Sequence, residues 1–234
     1  MEPNPEVPSF QTGCPASPPP SMVNEKDGSL LVWVPGGTFM SRRETPAERD
    51  VSGFYIGLTC VTNAQYRRFE EETNRAHFDL TFDSEQVADY PVTMVNWHEA
   101  KAYCLWAGLR LPTTIEWEKA AGGTDGRTYP WGNEWDPEKC RNSVGKNGHP
   151  FEGKAEVWRY PEGVSPYGCL QMAGNVWEWC DRMRGDFEGC LPQPVRGGSW
   201  SNTVAEHFQC GFGNSDSPFR RFSNNGFRPV KDAC

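Results

Sequence analysis

The chain is short of the features that announce most functional classes. No apolar run approaches the ~20 residues of a membrane-spanning helix, so no membrane is expected as a partner. The first 25 residues show neither a basic start nor an apolar stretch of the secretory kind, so no export signal and a cytoplasmic setting are expected. Basic residues are in the minority, 23 Lys and Arg against 31 Asp and Glu, for a formal net charge of −8. Nucleic acids and anionic membranes need a basic face, which argues against both. Histidine is scarce, with only His77, His98, His149 and His207, and no two stand at the spacing of paired ligands on one helix face. None of the nine cysteines forms a Cys-x-x-Cys pair, which excludes the usual zinc-ribbon and thioredoxin-like patterns. In a reducing compartment these thiols are expected mainly as free, buried side chains. One or two disulfides, or metal or catalytic use, are the alternatives.

Turn residues and tryptophan are what the chain has in excess. It holds 24 glycines and 20 prolines in 234 residues, about 19% against a usual ~12%. Ten tryptophans accompany them, so the loops must be packed rather than disordered. Residues 1–26 are the exception: seven of the first 21 are proline, which predicts a disordered, Pro-rich tail before a single domain over 27–234. Leu30–Val34 predicts a strand closed by Pro35-Gly36-Gly37 and resumed at Thr38–Met40. A second strand is expected over Phe54–Ile56 and Leu58–Val61, interrupted at Gly57. Three capping boxes predict three helices, over 62–72, 96–107 and 113–121. Their caps are Thr62 with Gln65, Asn96 with Glu99, and Thr113 with Glu116. Beyond residue 123 the periodicity disappears, and only short strands within long packed loops are expected.

Seven ordered strings then give a resemblance. They are VWVPGGTFM (32–40), VTNAQYRRF (61–69), PVTMVNWHEAKAYCLWAGLRLPTTIEWEKAA (91–121), YPWGNEWD (129–136), SPYGCLQMAGNVWEWC (165–180), VRGGSW (195–200) and NNGFRPV (224–230). In this order they resemble the formylglycine-generating-enzyme family, also called sulfatase-modifying factors. The resemblance implies an α+β fold of the C-type-lectin-like kind, loop-rich and low in regular secondary structure. It also implies an oxidase that converts a cysteine of a Cys-x-Pro-x-Arg segment to formylglycine with Cu(I) and O₂. Two cysteines shortly after the Arg-Gly-Gly-Ser motif hold that copper, and a soft thiolate pair suits Cu(I). Here the two positions fall on Asn202 and His207, so no Cu(I) and no standard formylglycine formation are expected. Cys210 matches a buried, non-catalytic family position. A related branch of the family, resembling the sulfoxide synthases of ergothioneine biosynthesis, holds iron through three histidines, partly from an added helical domain. With four scattered histidines and no such domain expected, no iron site of that type is expected here.

Calcium is the metal that the resemblance leaves. A structural Ca²⁺ site would map to Gln171, Gly174, Val176 and Glu178, an oxygen-only set that suits a hard cation. Glu178 as a backbone cap is the alternative. A second site would map to Asn142, Ser143, His149 and Phe151, with histidine where the pattern wants aspartate.

The segment 201–225 lies between two of the family strings. In this window the chain looks like the variable proteins of diversity-generating retroelements, which display changing side chains on a fixed lectin-type scaffold. Asn202, His207, Phe208, Phe212, Asp216, Phe219, Arg220, Arg221 and Phe222 are the candidate ligand-binding residues, because exposed aromatics beside arginines have a hot-spot composition. The expectation is a non-catalytic scaffold that binds a protein or small-molecule ligand on this surface. The rival is a noncanonical oxidase or biosynthetic tailoring enzyme that uses the same pocket without the thiol pair. Glu206, His207 and Asp216 would then supply acid–base or metal-binding groups.

Overall fold

Each of the three helices starts where a reciprocal cap satisfies its first backbone donors. The computed structural model describes residues 20–42, 46–76, 87–145, 153–182 and 191–233. Within it, α1 (Asn63–Thr73), α2 (Trp97–Trp106) and α3 (Thr114–Gly122) begin within one residue of the expected points. The Gln65, Glu99 and Glu116 side chains accept from the backbone N–H of Thr62, Asn96 and Thr113 at 2.9, 2.8 and 2.7 Å. Helix α1 stops at Asn74, whose backbone turns left-handed. Helix α3 is buried along its whole length, which explains why its sequence shows no polar face.

A four-stranded antiparallel sheet joins the two ends of the domain. Its order is β1 (Ser21–Val23), β2 (Leu30–Val34), β5 (Phe54–Gly57), β10 (Val230–Asp232). The first of these strands lies inside the expected tail and corrects its boundary. Ser21–Val23 pairs with Leu30–Val32, and the turn between them is fixed by Asp27. That carboxylate accepts from Asn24 Nδ2 and Ser29 Oγ at 2.7 Å each and, on its other oxygen, from Tyr103 Oη at 2.7 Å. A three-residue strand is too short to show a period of two, so the sequence hid it. Residues 1–19 lie outside the described residues. A second correction concerns Leu58–Val61, which leaves the sheet instead of continuing β5. At Gly57 the chain turns so tightly that a Cβ would meet the Thr59 carbonyl at 2.8 Å.

The hairpin β3 (Gly37–Ser41) and β4 (Ala47–Val51) covers α3. The second half builds a sheet of order β8 (Gly213–Asp216), β7 (Gln193–Arg196), β6 (Trp177–Trp179), β9 (Asn225–Gly226), in which β6 and β9 run parallel. Among the described residues after 123, no helix exceeds the four-residue 3-10 turn Ala205–Phe208. Trp179 Nε1 donates to Val95 O at 3.1 Å and Trp97 Nε1 to Cys180 O at 3.0 Å, which stitches β6 to the start of α2. All six described cysteines, Cys60, Cys104, Cys140, Cys169, Cys180 and Cys210, are free and buried. Burial pushes the Cys180 and Cys210 thiols above their ordinary range, so they behave as small hydrophobes. No described helix is long and apolar enough to cross a membrane.

Candidate functional site

The site is set up by Arg196 and the two glycines after it. Arg196 is buried, donates to Gly211 O at 2.9 Å and Phe212 O at 2.8 Å, and lies 3.7 Å from Glu118. This pins β7 to the stretch leading into β8. Gly197 and Gly198 both have positive φ, and a Cβ on Gly198 would strike the Phe208 ring at 2.8 Å. Only glycine fits there. The turn delivers Ser199 to Asn202: Ser199 N and Oγ both donate to Asn202 Oδ1, at 2.8 and 2.9 Å. Asn202 Nδ2 lies 2.8 Å from His207 Nδ1, so the structure brings together the two positions where the resemblance places thiols. Asn224 Nδ2 reaches Ser199 Oγ at 3.2 Å and Ser201 Oγ at 3.1 Å. Three rings flank this polar cluster. His207 stands 4.9 Å from Phe212 and 6.1 Å from Trp177, centroid to centroid, and Trp177 stands 6.2 Å from Phe212.

The remaining candidates divide by position. Asp216 accepts from Asn225 Nδ2 at 3.1 Å on the sheet beside the cluster. Phe219, 58% exposed, lies 5.1 Å from the His98 ring over the start of α2. Arg221 is tied to Glu99 at 2.5 Å, and Arg220 lies over the half-buried Phe222 ring at 5.9 Å. Phe208 contradicts the expectation of a displayed ring: it is fully buried and stacks on Trp135 at 5.1 Å. Ser199, Ser201, Trp177 and Asn224 complete the site and were not singled out in the sequence. Trp177, Ser199 and Asn224 all lie within quoted strings. What the strings do not carry is side-chain direction, because Trp177 and Glu178 point to opposite faces of β6.

The residues mapped to calcium do not fit that ion as they stand. Glu178 Oε2 accepts from Trp117 Nε1 at 2.6 Å and Arg228 Nε at 2.7 Å. Its Oε1 accepts from Arg228 Nη2 at 2.7 Å and Cys60 Sγ at 3.2 Å. Gln171 Oε1 accepts from Asn175 Nδ2 at 2.5 Å, and Gln171 Nε2 donates to the Glu156 and Arg159 carbonyls. Both Glu178 oxygens are thus filled by donors, Gln171 Oε1 already accepts one, and Arg228 already supplies the positive charge. In this arrangement the side chains of Gln171 and Glu178 do not fit Ca²⁺, and Glu178 is an ion-pair partner rather than a backbone cap. Burial alone would lower the Arg228 pKa, yet the adjoining carboxylate holds it above its ordinary value. At the second mapped site, Asn142 Oδ1 accepts from Val144 N at 2.9 Å and Ser143 Oγ donates to Trp200 O at 2.7 Å. His149 and Phe151 there lie outside the described residues, as does His77. Among the described residues no three His, Cys, Asp or Glu side chains converge as a metal site would require.

Comparison with known proteins agrees with this architecture. The family model for the sulfatase-modifying factor enzyme 1-like domain matches residues 17–233. An inactive C-alpha-formylglycine-generating enzyme 2 of Bos taurus is 30% identical over 237 residues, 74% of this chain and 77% of that protein. A hercynine oxygenase of Mycobacterium tuberculosis is 39% identical over 164 residues, but the match spans 62% of this chain and only 37% of the relative. Among solved structures, variable protein 1 of Treponema denticola superposes with a TM-score of 0.69 at 21% identity, covering 90% of this chain and 98% of that one. The fold is therefore of the formylglycine-generating-enzyme and variable-protein kind, α+β, with few helices and many loops.

Proposed function

The chain belongs to the sulfatase-modifying factor enzyme 1-like family, and within that family we propose that it is a binding module whose ligand face is built from residues 199–225. One observation carries the reading. At the two positions where the resemblance puts the copper thiolates, an amide and an imidazole are hydrogen-bonded to each other at 2.8 Å. A carboxamide is a poor ligand for Cu(I), which favours thiolates, and this one is already held by Ser199. The partly buried rings of Phe212 and Phe222, the exposed Phe219 and the Arg220 guanidinium lie in the same stretch of the chain, a composition that suits a protein or small-molecule ligand. The variable-protein fold supports the same use of this surface. A cytoplasmic setting belongs to the proposal and is supported by the six free, buried thiols.

The test uses the geometry itself. Anaerobic titration of the wild-type chain against a coloured Cu(I) chelator should show no copper withdrawn. The double variant Asn202→Cys, His207→Cys should compete for one equivalent, because the two side chains already face each other. Tight, stoichiometric uptake by the wild type would contradict the binding-module reading. The likeness to hercynine oxygenase favours a second reading, an oxidase with a different metal in the same pocket. Metal uptake by the wild type at His207 would support it.

A further inference from the structure

The hydrogen-bond directions at Asn202 determine which face His207 offers, and this deepens the binding-module reading on which it rests. A backbone N–H can only donate, and Ser199 N lies 2.8 Å from Asn202 Oδ1. The carbonyl end of the Asn202 amide is thereby fixed toward Ser199, and its NH₂ end faces His207 Nδ1 at 2.8 Å. An amide nitrogen has no lone pair with which to accept, so Nδ1 must accept. A neutral imidazole that accepts at Nδ1 carries its proton at Nε2. The Ser199 hydroxyl proton goes to Asn202 Oδ1 at 2.9 Å, so the 3.0 Å contact between Ser201 Oγ and Ser199 Oγ runs from Ser201 to Ser199. Asn224 Nδ2 donates to both hydroxyls. The bonds run in one direction through the chain, and the free end is His207 Nε2–H. No hydrogen bond engages that nitrogen among the described residues.

We infer that Asn202 holds His207 as the Nε2–H tautomer and that this face takes a ligand presenting an acceptor oxygen on a flat apolar group, not a metal ion. The partly buried ring of Phe212 beside His207 gives the apolar group its surface, backed by the buried ring of Trp177. A metal bound at Nε2 needs the lone pair there, and metal-binding histidines donate their other N–H to an acceptor. At this site the other nitrogen faces a donor, the opposite arrangement. Moving the proton to Nδ1 would set two donors against each other and forfeit the bond to Asn202. Of the charged candidate residues, Asp216 is held by Asn225 and Arg221 by Glu99. His207 is therefore the donor that selects the ligand, and Asn202 is its positioning residue.

Nitrogen-15 NMR of the labelled full chain at neutral pH reads the tautomer directly. The expected result is an unprotonated Nδ1 and a protonated Nε2. In Asn202→Asp the Ser199 donors keep an oxygen to bind while the second oxygen must accept from His207, so Nδ1 should gain a proton. Should that variant fail to fold, the wild-type spectrum decides alone. A protonated Nδ1 in the wild type, or an unchanged tautomer in a folded Asn202→Asp, would overturn the inference. For the ligand class the probes are indole-3-acetamide, which carries an acceptor oxygen, and tryptamine, which does not. The amide should shift the His207 Nε2–H and Trp177 indole signals, and tryptamine should leave them in place. No response to the amide at millimolar concentration, an equal response to tryptamine, or coordination of added Zn²⁺ at Nε2 would overturn the ligand assignment. Copper uptake by the wild type would instead sink the binding-module reading, so the two failures are distinct.

Discussion

Glu178→Gln should destabilise the domain by about 3–5 kcal/mol, the usual cost of leaving one member of a buried ion pair without its partner. Glu178 and Arg228 are 1% and 0% exposed, so no water can take over the lost interaction. Apart from the neutral amide oxygen and the Cys60 sulfur, Arg228 would retain the Gly57, Leu58 and Leu170 carbonyls, at 3.0, 3.2 and 2.9 Å. Those contacts fix its geometry but do not neutralise its charge. The variant also weakens the acceptor for Trp117 Nε1 and the Cys60 thiol. Changing both partners, Glu178→Gln with Arg228→Met, should recover part of the loss, because no unpaired charge then stays behind. Urea unfolding of the three chains measures this. In the same experiment Ca²⁺ or a chelator should leave the wild-type midpoint where it is, since a ligand stabilises only the state that binds it. A loss below about 1 kcal/mol for Glu178→Gln, or a midpoint that follows Ca²⁺, would show that the pair is not the centre described above.

Phe208→Ala should cost about 3–5 kcal/mol, whereas Phe219→Ala should stay within about 0.5 kcal/mol. Both rings lie in the same stretch of the chain and differ only in where the backbone sends them. Phe208 ends the 3-10 turn Ala205–Phe208, stacks on Trp135 and fills the space that the missing side chain of Gly198 leaves open. Truncating it leaves a cavity beneath the turn that carries His207, so ligand binding should weaken along with stability. Phe219 leans on His98 from the solvent side, and its removal should affect binding alone. Thermal melts of the two variants separate a core ring from a displayed one.

What the sequence made legible was local. The capping boxes placed α1, α2 and α3 because each is a pattern four residues long with one physical meaning. The strand at Leu30–Val34 was legible because an apolar run met a Pro-Gly-Gly turn. The strand Ser21–Val23 was not, since it gains its place only by pairing across the Asp27 turn. The parallel pair of β6 and β9 joins residues nearly fifty positions apart and leaves no local trace. The site followed the same division. The strings around Trp177, Ser199 and Asn224 marked the right segments, and the Asn202 and His207 positions were found by register with the family. Direction was missing: an alternation of one residue decides that Trp177 packs toward His207 and Phe212 while Glu178 turns to Arg228. The same alternation hid the partner of Glu178, since a carboxylate mapped as a calcium ligand is paired with an internal guanidinium.

The proposed function is that this domain binds and does not oxidise. Its most direct test is to supply Cu(I) to the purified chain anaerobically, add a peptide containing Cys-x-Pro-x-Arg, admit O₂, and follow oxygen uptake together with peptide mass. The account predicts no uptake above that of free copper and an unchanged cysteine. Enzyme-dependent oxygen consumption with conversion of that cysteine to formylglycine would contradict it.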